Sequence, residues 1–91
     1  MDSGLEALCK EILEAPQTEG CLLANAQGLC LEAKGKVASP EFSGILVALS
    51  EQAAKLEPNS NPPTVILDYK DLTCFIQKHD AHTTAVYRRK K

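Results

Sequence analysis

The segment His79-Asp80-Ala81-His82 contains residue types that could do chemistry. Imidazole and carboxylate groups are ligands for zinc and can also act as acid–base catalysts. A zinc site needs a fourth ligand, and none lies near this segment in the sequence. Asp is common in turns, because its side chain bonds nearby backbone amides. We therefore interpret the segment as a hairpin turn and predict no metal site.

The four cysteines, Cys9, Cys21, Cys30 and Cys74, are the second reactive group. They lie within apolar runs and form no Cys-x-x-Cys pair, and the N-terminus lacks the basic and apolar regions of a secretory signal. Free cysteines in such a chain are typically small buried residues. We predict reduced, buried thiols in the cytosol, with neither zinc nor disulfides.

The sequence contains few features typical of an enzyme or of a nucleic-acid-binding protein. Ser43 and Ser50 fall in a predicted helix without a Gly-x-Ser-x-Gly motif, and the five glycines are too scattered for a phosphate loop. Aromatic residues make up 4% of the chain, which leaves little material for a ligand pocket or a base-stacking platform. The net charge of -2 disfavours nucleic acid. We predict no enzyme activity and no cofactor.

The length of 91 residues predicts a single domain, 1–91. No apolar run approaches the roughly 20 residues of a transmembrane helix, and no lipidation motif is present. We expect a cytoplasmic protein that meets membranes only indirectly. The basic tail 88–91 is interpreted as a solvated end, the alternative being attraction to anionic lipid or to an acidic partner.

The first half of the chain predicts a helix followed by a β-hairpin. A capping box of Ser3 and Glu6 starts the helix and Pro16 ends it. Its apolar stripe has the spacing of one helix face and consists of Leu5, Leu8, Cys9, Ile12 and Leu13. Runs 20–24 and 29–34 then form strands, joined by a turn over 25–28 in which Gly28 takes a left-handed conformation.

A second helix is predicted over 40–56, with Ser39 as its N-cap and Pro40 at its first position. Its main stripe, expected to cover a sheet, is Phe42, Ile45, Leu46, Leu49, Ala53 and Leu56. A neighbouring stripe of small or apolar residues is Ser43, Val47, Ser50 and Ala54. This second stripe either receives a helix from a partner or widens the surface that faces the core.

The second half predicts an exposed loop over 57–63 and three strands, at 64–69, 73–78 and 83–88. The order is helix, two strands, helix, three strands. An α+β domain with a five-stranded antiparallel sheet and helices on its faces satisfies this order.

Four segments in order carry a resemblance to a known family: Asn25-Ala26-Gln27-Gly28 followed by Leu29, the helix end 51–56, Ile76-Gln77-Lys78-His79-Asp80, and Thr84-Ala85-Val86. They resemble the fifth-subunit family of the Ragulator complex, also described as hepatitis B virus X-interacting proteins, within the roadblock-like proteins. The similarity runs along the whole chain. The loop 59–63 and the basic tail depart from the family pattern.

The resemblance implies a roadblock-like (longin-like) fold with strand order 2-1-5-4-3. It implies pairing with the fourth Ragulator subunit through second helices and third strands, and wrapping by a lipidated subunit on late endosomes and lysosomes. The complex is expected to dock Rag GTPases and to support amino-acid-dependent target-of-rapamycin signalling. The interface predicted for this chain comprises Ser43, Val47, Ser50, Ala54, Thr64, Val65, Ile66 and Leu67.

Two alternatives remain in view, a dynein-type roadblock light chain and a small regulatory or ligand-binding module. Roadblock domains ordinarily carry a third helix after the fifth strand, and this sequence ends there. The resulting bare sheet face is expected to expose about 300–500 Å² of apolar surface, a size typical of interaction sites. The apolar third strand is expected at a sheet edge, where a partner strand would complete its hydrogen bonds. An internal third strand would instead belong to the core.

Overall fold

The computed structural model describes residues 4–36 and 38–90. Within these residues, two α-helices and five strands follow one another in the predicted order, and a short 3-10 turn that was not predicted precedes the second helix. Their bounds are α1 Gly4–Leu13, β1 Thr18–Asn25, β2 Cys30–Gly35, the 3-10 turn Pro40–Phe42, α2 Ser43–Ala54, β3 Val65–Asp68, β4 Leu72–His79 and β5 His82–Arg89.

The strands form one antiparallel sheet in the order β2-β1-β5-β4-β3. This confirms the predicted fold class and strand order. The crossover places the first and last strands side by side, while β2 and β3 lie at the two edges. The third strand is therefore an edge strand, as predicted.

Turn residues set the two hairpins that flank the centre of the sheet. The Asn25 Oδ1 atom accepts hydrogen bonds from the amides of Gln27 and Leu29, both at 3.0 Å. Gly28 has φ +88°, the left-handed conformation expected from the sequence. In the second hairpin Asp80 has φ 54° and His79 lies directly opposite His82. A short polar side chain tolerates that backbone, so the turn interpretation accounts for Asp80.

Each face of the sheet carries one helix, because side chains alternate along every strand. α1 lies over β1 and β2, where Cys9, Cys21 and Leu23 are buried. α2 covers the opposite face and buries a larger cluster, made of Leu22, Ala24, Leu46, Val47, Cys74, Ile76, Ala85 and Tyr87. The prediction that Cys9, Cys21 and Cys74 are buried is confirmed, whereas Cys30 is half-buried.

Three boundary predictions differ from the structure or lie outside it. The capping box includes Ser3, which is outside the described residues. Ser39 takes the extended conformation of an N-cap without a side-chain cap bond, and a 3-10 turn precedes α2. Arg88 and Arg89 complete β5 and so do not belong to a free tail. The sheet extends this far because the Arg89 amide bonds the Gln17 carbonyl at 2.8 Å.

Candidate partner-binding surface

The orientation of α2 corrects the prediction for its two stripes. Ser43, Val47 and Ser50 are at most 5% exposed and face the sheet, and Ala54 is half-buried. Within the isolated chain, then, this stripe is the core-facing side of the helix. The alternative that assigned it to a partner helix is not compatible with this orientation.

Small side chains explain why α2 sits this way. The Ser43 Oγ atom donates a hydrogen bond of 2.6 Å to the carbonyl of Gly28. An added Cβ on Gly28 would lie 3.1 Å from the Cα of Gly44, so the helix start and the β1–β2 turn are in close approach. Small residues on the inner side let the helix approach the sheet at this distance.

The other side of α2 presents large apolar residues to solvent. Ile45 is 60% exposed and Leu49 is also exposed, as is Phe42, the last residue of the 3-10 turn that leads into α2. Leu56, just beyond the helix, is more exposed still. Of the stripe predicted to cover the sheet, Leu46 is buried and these four residues are not. The surplus apolar surface predicted for α2 therefore exists, but on the opposite side of the helix.

A groove of about 360 Å³ continues this surface toward the sheet edge. Its walls come from the exposed side of α2 and from the β3–β4 hairpin, and its floor from β4 and β5. The lining residues are Phe42, Ile45, Leu46, Leu49, Leu67, Tyr69, Leu72, Cys74 and Tyr87. Such a lining suits an apolar side chain from another polypeptide better than a polar metabolite.

Two titratable groups on the floor of the groove, Cys74 and Tyr87, are buried from water. Burial raises the pKa of the Cys74 thiol to about 11, against a smaller lowering by its hydrogen bond with Tyr87. Burial also raises the pKa of the Tyr87 hydroxyl, with the neighbouring Cys74 adding to the effect. Both groups are neutral near pH 7 even at their ordinary pKa values of 9.0 and 10.0, so the floor carries no charge there.

The edge strand β3 borders the groove. Its inward residues Val65 and Leu67 pack against the α2-side core, while Ile66 points to the opposite face and is 57% exposed. Thr64 is exposed and precedes the strand. Within the described part of the chain β3 pairs only with β4. One row of its backbone groups is therefore unpaired, which favours strand addition.

The face that carries α1 is covered over only part of its width. One cross-strand row runs Ile66, Phe75, Val86, Cys21. Cys21 lies beneath α1 and is buried, whereas Phe75 and Val86 are half-buried and Ile66 is exposed. The row thus passes from a dry core to an open apolar surface across one sheet. Among the described residues, this half of the face is therefore open to solvent at Ile66.

Ion pairs lie along one end of the sheet. Arg89 pairs with Glu19, and Lys90 pairs with Asp68. The Arg88 guanidinium donates to the Pro16 carbonyl at 3.2 Å. These basic residues are engaged with their own domain, and Lys91 lies outside the described residues.

The other residues singled out for chemistry do not assemble into a site. In the regions 4–36 and 38–90, no three His, Cys, Asp or Glu side chains come close enough together to hold a metal ion. Ser43 and Ser50 lie on the side of α2 that faces the sheet and are buried there. No helix in those regions has the length and apolar character needed to cross a bilayer.

Sequence reasoning did not assign Phe42, Ile45 and Leu49 to the exposed surface, nor Tyr69 and Leu72 to the groove. The signal that could have found them was the size difference between the two α2 stripes. When both sides of a helix are apolar, the side with the smaller residues, here Ser43 and Ser50, packs closest. Phe75 and Val86 could have been found from strand alternation once the register was known.

Comparison with known proteins shows the fold independently. The structure superposes on a roadblock/LC7 domain from Streptomyces avermitilis with a TM-score of 0.73, at 17% identity, covering 98% of this chain and 81% of that chain. It also superposes on Myxococcus xanthus MglB with a TM-score of 0.82, at 10% identity, covering 97% and 77% of the two chains. Because both sequence identities are low, the likeness shows the fold alone, and that fold is a roadblock fold.

Sequence comparison identifies the family. A Xenopus laevis Ragulator complex protein LAMTOR5 is 34% identical over 89 residues, covering 97% of each chain. The family model described as Ragulator complex protein LAMTOR5 matches residues 1–88. This is a family of non-enzymatic adaptors, in agreement with the prediction that the chain is not an enzyme. The chain belongs to the LAMTOR5 family of Ragulator complex proteins.

Proposed function

We propose that this chain is a non-catalytic scaffold subunit of the Ragulator complex and pairs with a second roadblock-like subunit, the fourth of the complex. The pairing surface consists of the exposed side of α2, defined by Phe42, Ile45 and Leu49, together with the edge strand β3. Thr64, Val65, Ile66 and Leu67 supply the strand part of this surface.

This proposal rests on the large apolar side chains that are exposed on the solvent-facing side of α2. Phe42, Ile45 and Leu49 are exposed on one side of a helix whose other side already covers the sheet. Fully burying one such side chain is worth about 1.5–3 kcal/mol. Three of them on adjacent turns are an unusual exposure for a small monomer, and large exposed apolar patches mark interaction sites.

The position of β3 supports the same surface. The unpaired edge of β3 and the exposed side of α2 are joined by the apolar groove, so a partner can contact all three at once. A strand added at β3 would satisfy its free backbone groups and continue the sheet. A side chain of the partner helix would fill the groove, where apolar contacts are available on three sides.

The open half of the α1 face is proposed to receive a different segment. Ile66, Phe75 and Val86 form an apolar row there, next to the part of the face that α1 covers. A partner helix over this row would take the place that α1 takes over Cys21. We assign this role to a segment of the lipidated wrapping subunit of the complex.

The wider role follows from membership of the complex. Through its partners the chain would lie at the cytosolic face of late endosomes and lysosomes, where Ragulator supports Rag GTPase docking and activation and amino-acid-dependent target-of-rapamycin signalling. The chain's own contribution is to complete the scaffold. The basic residues at its C-terminal end are not required for assembly in this proposal.

The decisive experiment is co-expression with the fourth Ragulator subunit, followed by size-exclusion chromatography with light scattering. The expected result is a stable one-to-one complex. Ile45→Asp should weaken that complex by at least about 30-fold, because it places an unpaired charge in the centre of the apolar surface.

The matched control is Gly44→Asp, which puts the same charge on an exposed side of α2 about 100° around the helix from Ile45, where an added Cβ meets no atom within 4 Å. It should leave the complex intact. A chain that remains a stable monomer whether or not the partner is present would contradict the proposal. So would equal binding by the Ile45→Asp and Gly44→Asp variants.

A further inference from the structure

Two buried thiols meet between α1 and the sheet. The Cys9 Sγ atom lies 3.2 Å from the Cys21 Sγ atom and donates a hydrogen bond to it. Both residues are fully buried. A disulfide bond is about 2.05 Å long, so an approach of about 1 Å would bring these sulfurs to bonding distance.

The sheet separates this pair from the other two cysteines. Cys9 and Cys21 belong to the cluster beneath α1. Cys30 and Cys74 pack on the opposite face, against the cluster beneath α2. The folded chain therefore selects one pair, although Cys21 is nearer in sequence to Cys30 than to Cys9.

We propose that Cys9 and Cys21 are a site of oxidative modification, at which a peroxide converts the two thiols into a disulfide that fixes α1 on β1. In the first step one thiolate attacks hydrogen peroxide and breaks its O–O bond, giving a sulfenic acid and a hydroxide, which takes up the proton that the thiol lost and leaves as water. In the second step the other thiol attacks the sulfenic sulfur, and the leaving hydroxide is released as water. Two electrons pass from the sulfurs to the O–O bond, so two thiols and one peroxide give one disulfide and two waters.

Local opening of α1 controls access to this reaction. The thiolate is the reactive form, and burial raises the pKa of both thiols, that of Cys21 to about 12. The docked pair is therefore protected. α1 is a ten-residue helix, and short elements of this kind open locally at low free-energy cost. Oxidation begins in the open form, and closure then brings the two sulfurs together.

The test uses the full chain in dilute hydrogen peroxide, with remaining thiols blocked by N-ethylmaleimide and the protein digested with trypsin. Cleavage after Lys10 and Lys34 separates Cys9 from Cys21, which shares its peptide with Cys30. The expected product is a disulfide that joins peptides 1–10 and 11–34. A Cys30→Ser variant should give the same link, and a Cys9→Ala variant should not.

Oxidation in urea tests whether the fold directs the pairing. In the unfolded chain the shorter loop between Cys21 and Cys30 closes more readily, so a bridge within peptide 11–34 should compete. Native protein that gives the same products as protein in urea would overturn the proposal. So would native protein that keeps four alkylatable thiols or forms links through Cys30 or Cys74.

The thermal midpoint tests the effect on α1. Cross-linking residues twelve positions apart should raise Tm by an amount on the order of 10 °C, reversed by dithiothreitol. The Cys30→Ser variant should show the same rise, and the Cys9→Ala variant should show none. A cross-linked chain whose Tm does not rise would overturn the claim that the bond fixes α1.

Discussion

The two sides of α2 are both apolar, yet the chain uses them differently. The inner side packs on the sheet through Ser43, Val47 and Ser50, with Leu46 as its large residue. The outer side carries Phe42, Ile45 and Leu49 into solvent. Close approach of small residues, and not total hydrophobicity, has decided which side faces the sheet. The larger apolar side is thereby left for contacts outside the chain.

The sheet repeats this contrast on its other face. Cys21 and Val86 are neighbours in one cross-strand row, but only Cys21 lies under α1. The uncovered part of the row ends at the same edge strand that borders the α2 surface. The unfinished parts of both faces therefore converge on β3, which makes one edge of the molecule the region that depends on partners.

The largest effect is expected from Val47→Asp, which tests whether this side of α2 faces the sheet. Val47 is 5% exposed on the inner side, so the charge would be buried against the sheet without a partner. We expect a loss of about 4 kcal/mol or more of unfolding free energy, enough to unfold a domain of this size. Circular dichroism and a thermal melt measure the effect.

Gln52→Asp on the exposed side of α2 is the control for helix propensity and charge. It should stay within about 0.5 kcal/mol of the parent chain. A folded Val47→Asp chain with a normal melt would mean that Val47 faces outward, and the two sides of α2 would have to be exchanged.

Much of the fold followed from local patterns in the sequence. Alternating and helical periodicities placed each α-helix and strand within a few residues, although they missed the 3-10 turn before α2. Asn25 and Gly28 specified the first hairpin by backbone geometry. The strand order was different, since it came from the family resemblance. Local patterns do not encode which strands pair across a crossover such as β1 with β5.

The candidate surface was only partly predictable, for a physical reason. Periodicity locates apolar stripes on a helix, but it cannot choose between two stripes that are both apolar. The choice in α2 depends on contacts with distant residues, such as the Ser43 bond to Gly28 and the close approach of Gly44. The edge position of β3 was predictable because its composition and its preceding prolines suit an edge.

A pH titration of the unfolding free energy tests whether water is excluded between α2 and the sheet. The folded-state pKa of Cys74 is raised from 9.0 to about 11, and that of Tyr87 is raised above 10.0. A raised pKa in an acid means that the folded state holds its proton more tightly. The resulting stability is complete below about pH 9 and is lost as pH rises toward the folded values.

We expect the free energy of unfolding to fall by up to about 1.4 kcal/mol per pH unit for each such group, above pH 9 for Cys74 and above pH 10 for Tyr87. Urea denaturation under reducing conditions measures this decline. Cys74→Ala removes one group and should make the decline shallower. Cys9 and Cys21 contribute to the decline in both chains. A Cys74→Ala variant whose decline between pH 9 and 11 is as steep as that of the parent chain would therefore mean that Cys74 is hydrated.

Ser50→Ala tests the cost of a buried hydroxyl group on the side of α2 that faces the sheet. The Ser50 Oγ atom is buried, and no hydrogen-bond partner for it exists among the described residues. Removing an unsatisfied hydroxyl and improving helix propensity should stabilise the chain by about 1 kcal/mol. Ser43→Ala is the matched opposite, since it removes the bond to Gly28 and should cost about 1 kcal/mol. Equal shifts for the two variants would contradict this account of the packing.

The smallest expected effect belongs to Ile45→Ser in the isolated chain. Ile45 is 60% exposed, so its loss should change the unfolding free energy by no more than about 0.5 kcal/mol, as measured by urea denaturation of dilute protein. Leu46→Ser, one position further along the helix, removes a buried side chain and should cost about 3 kcal/mol. If Ile45→Ser is as costly as Leu46→Ser, the outer side is part of the chain's own core. If it is silent alone but weakens the complex, the outer side of α2 contributes to assembly and not to folding.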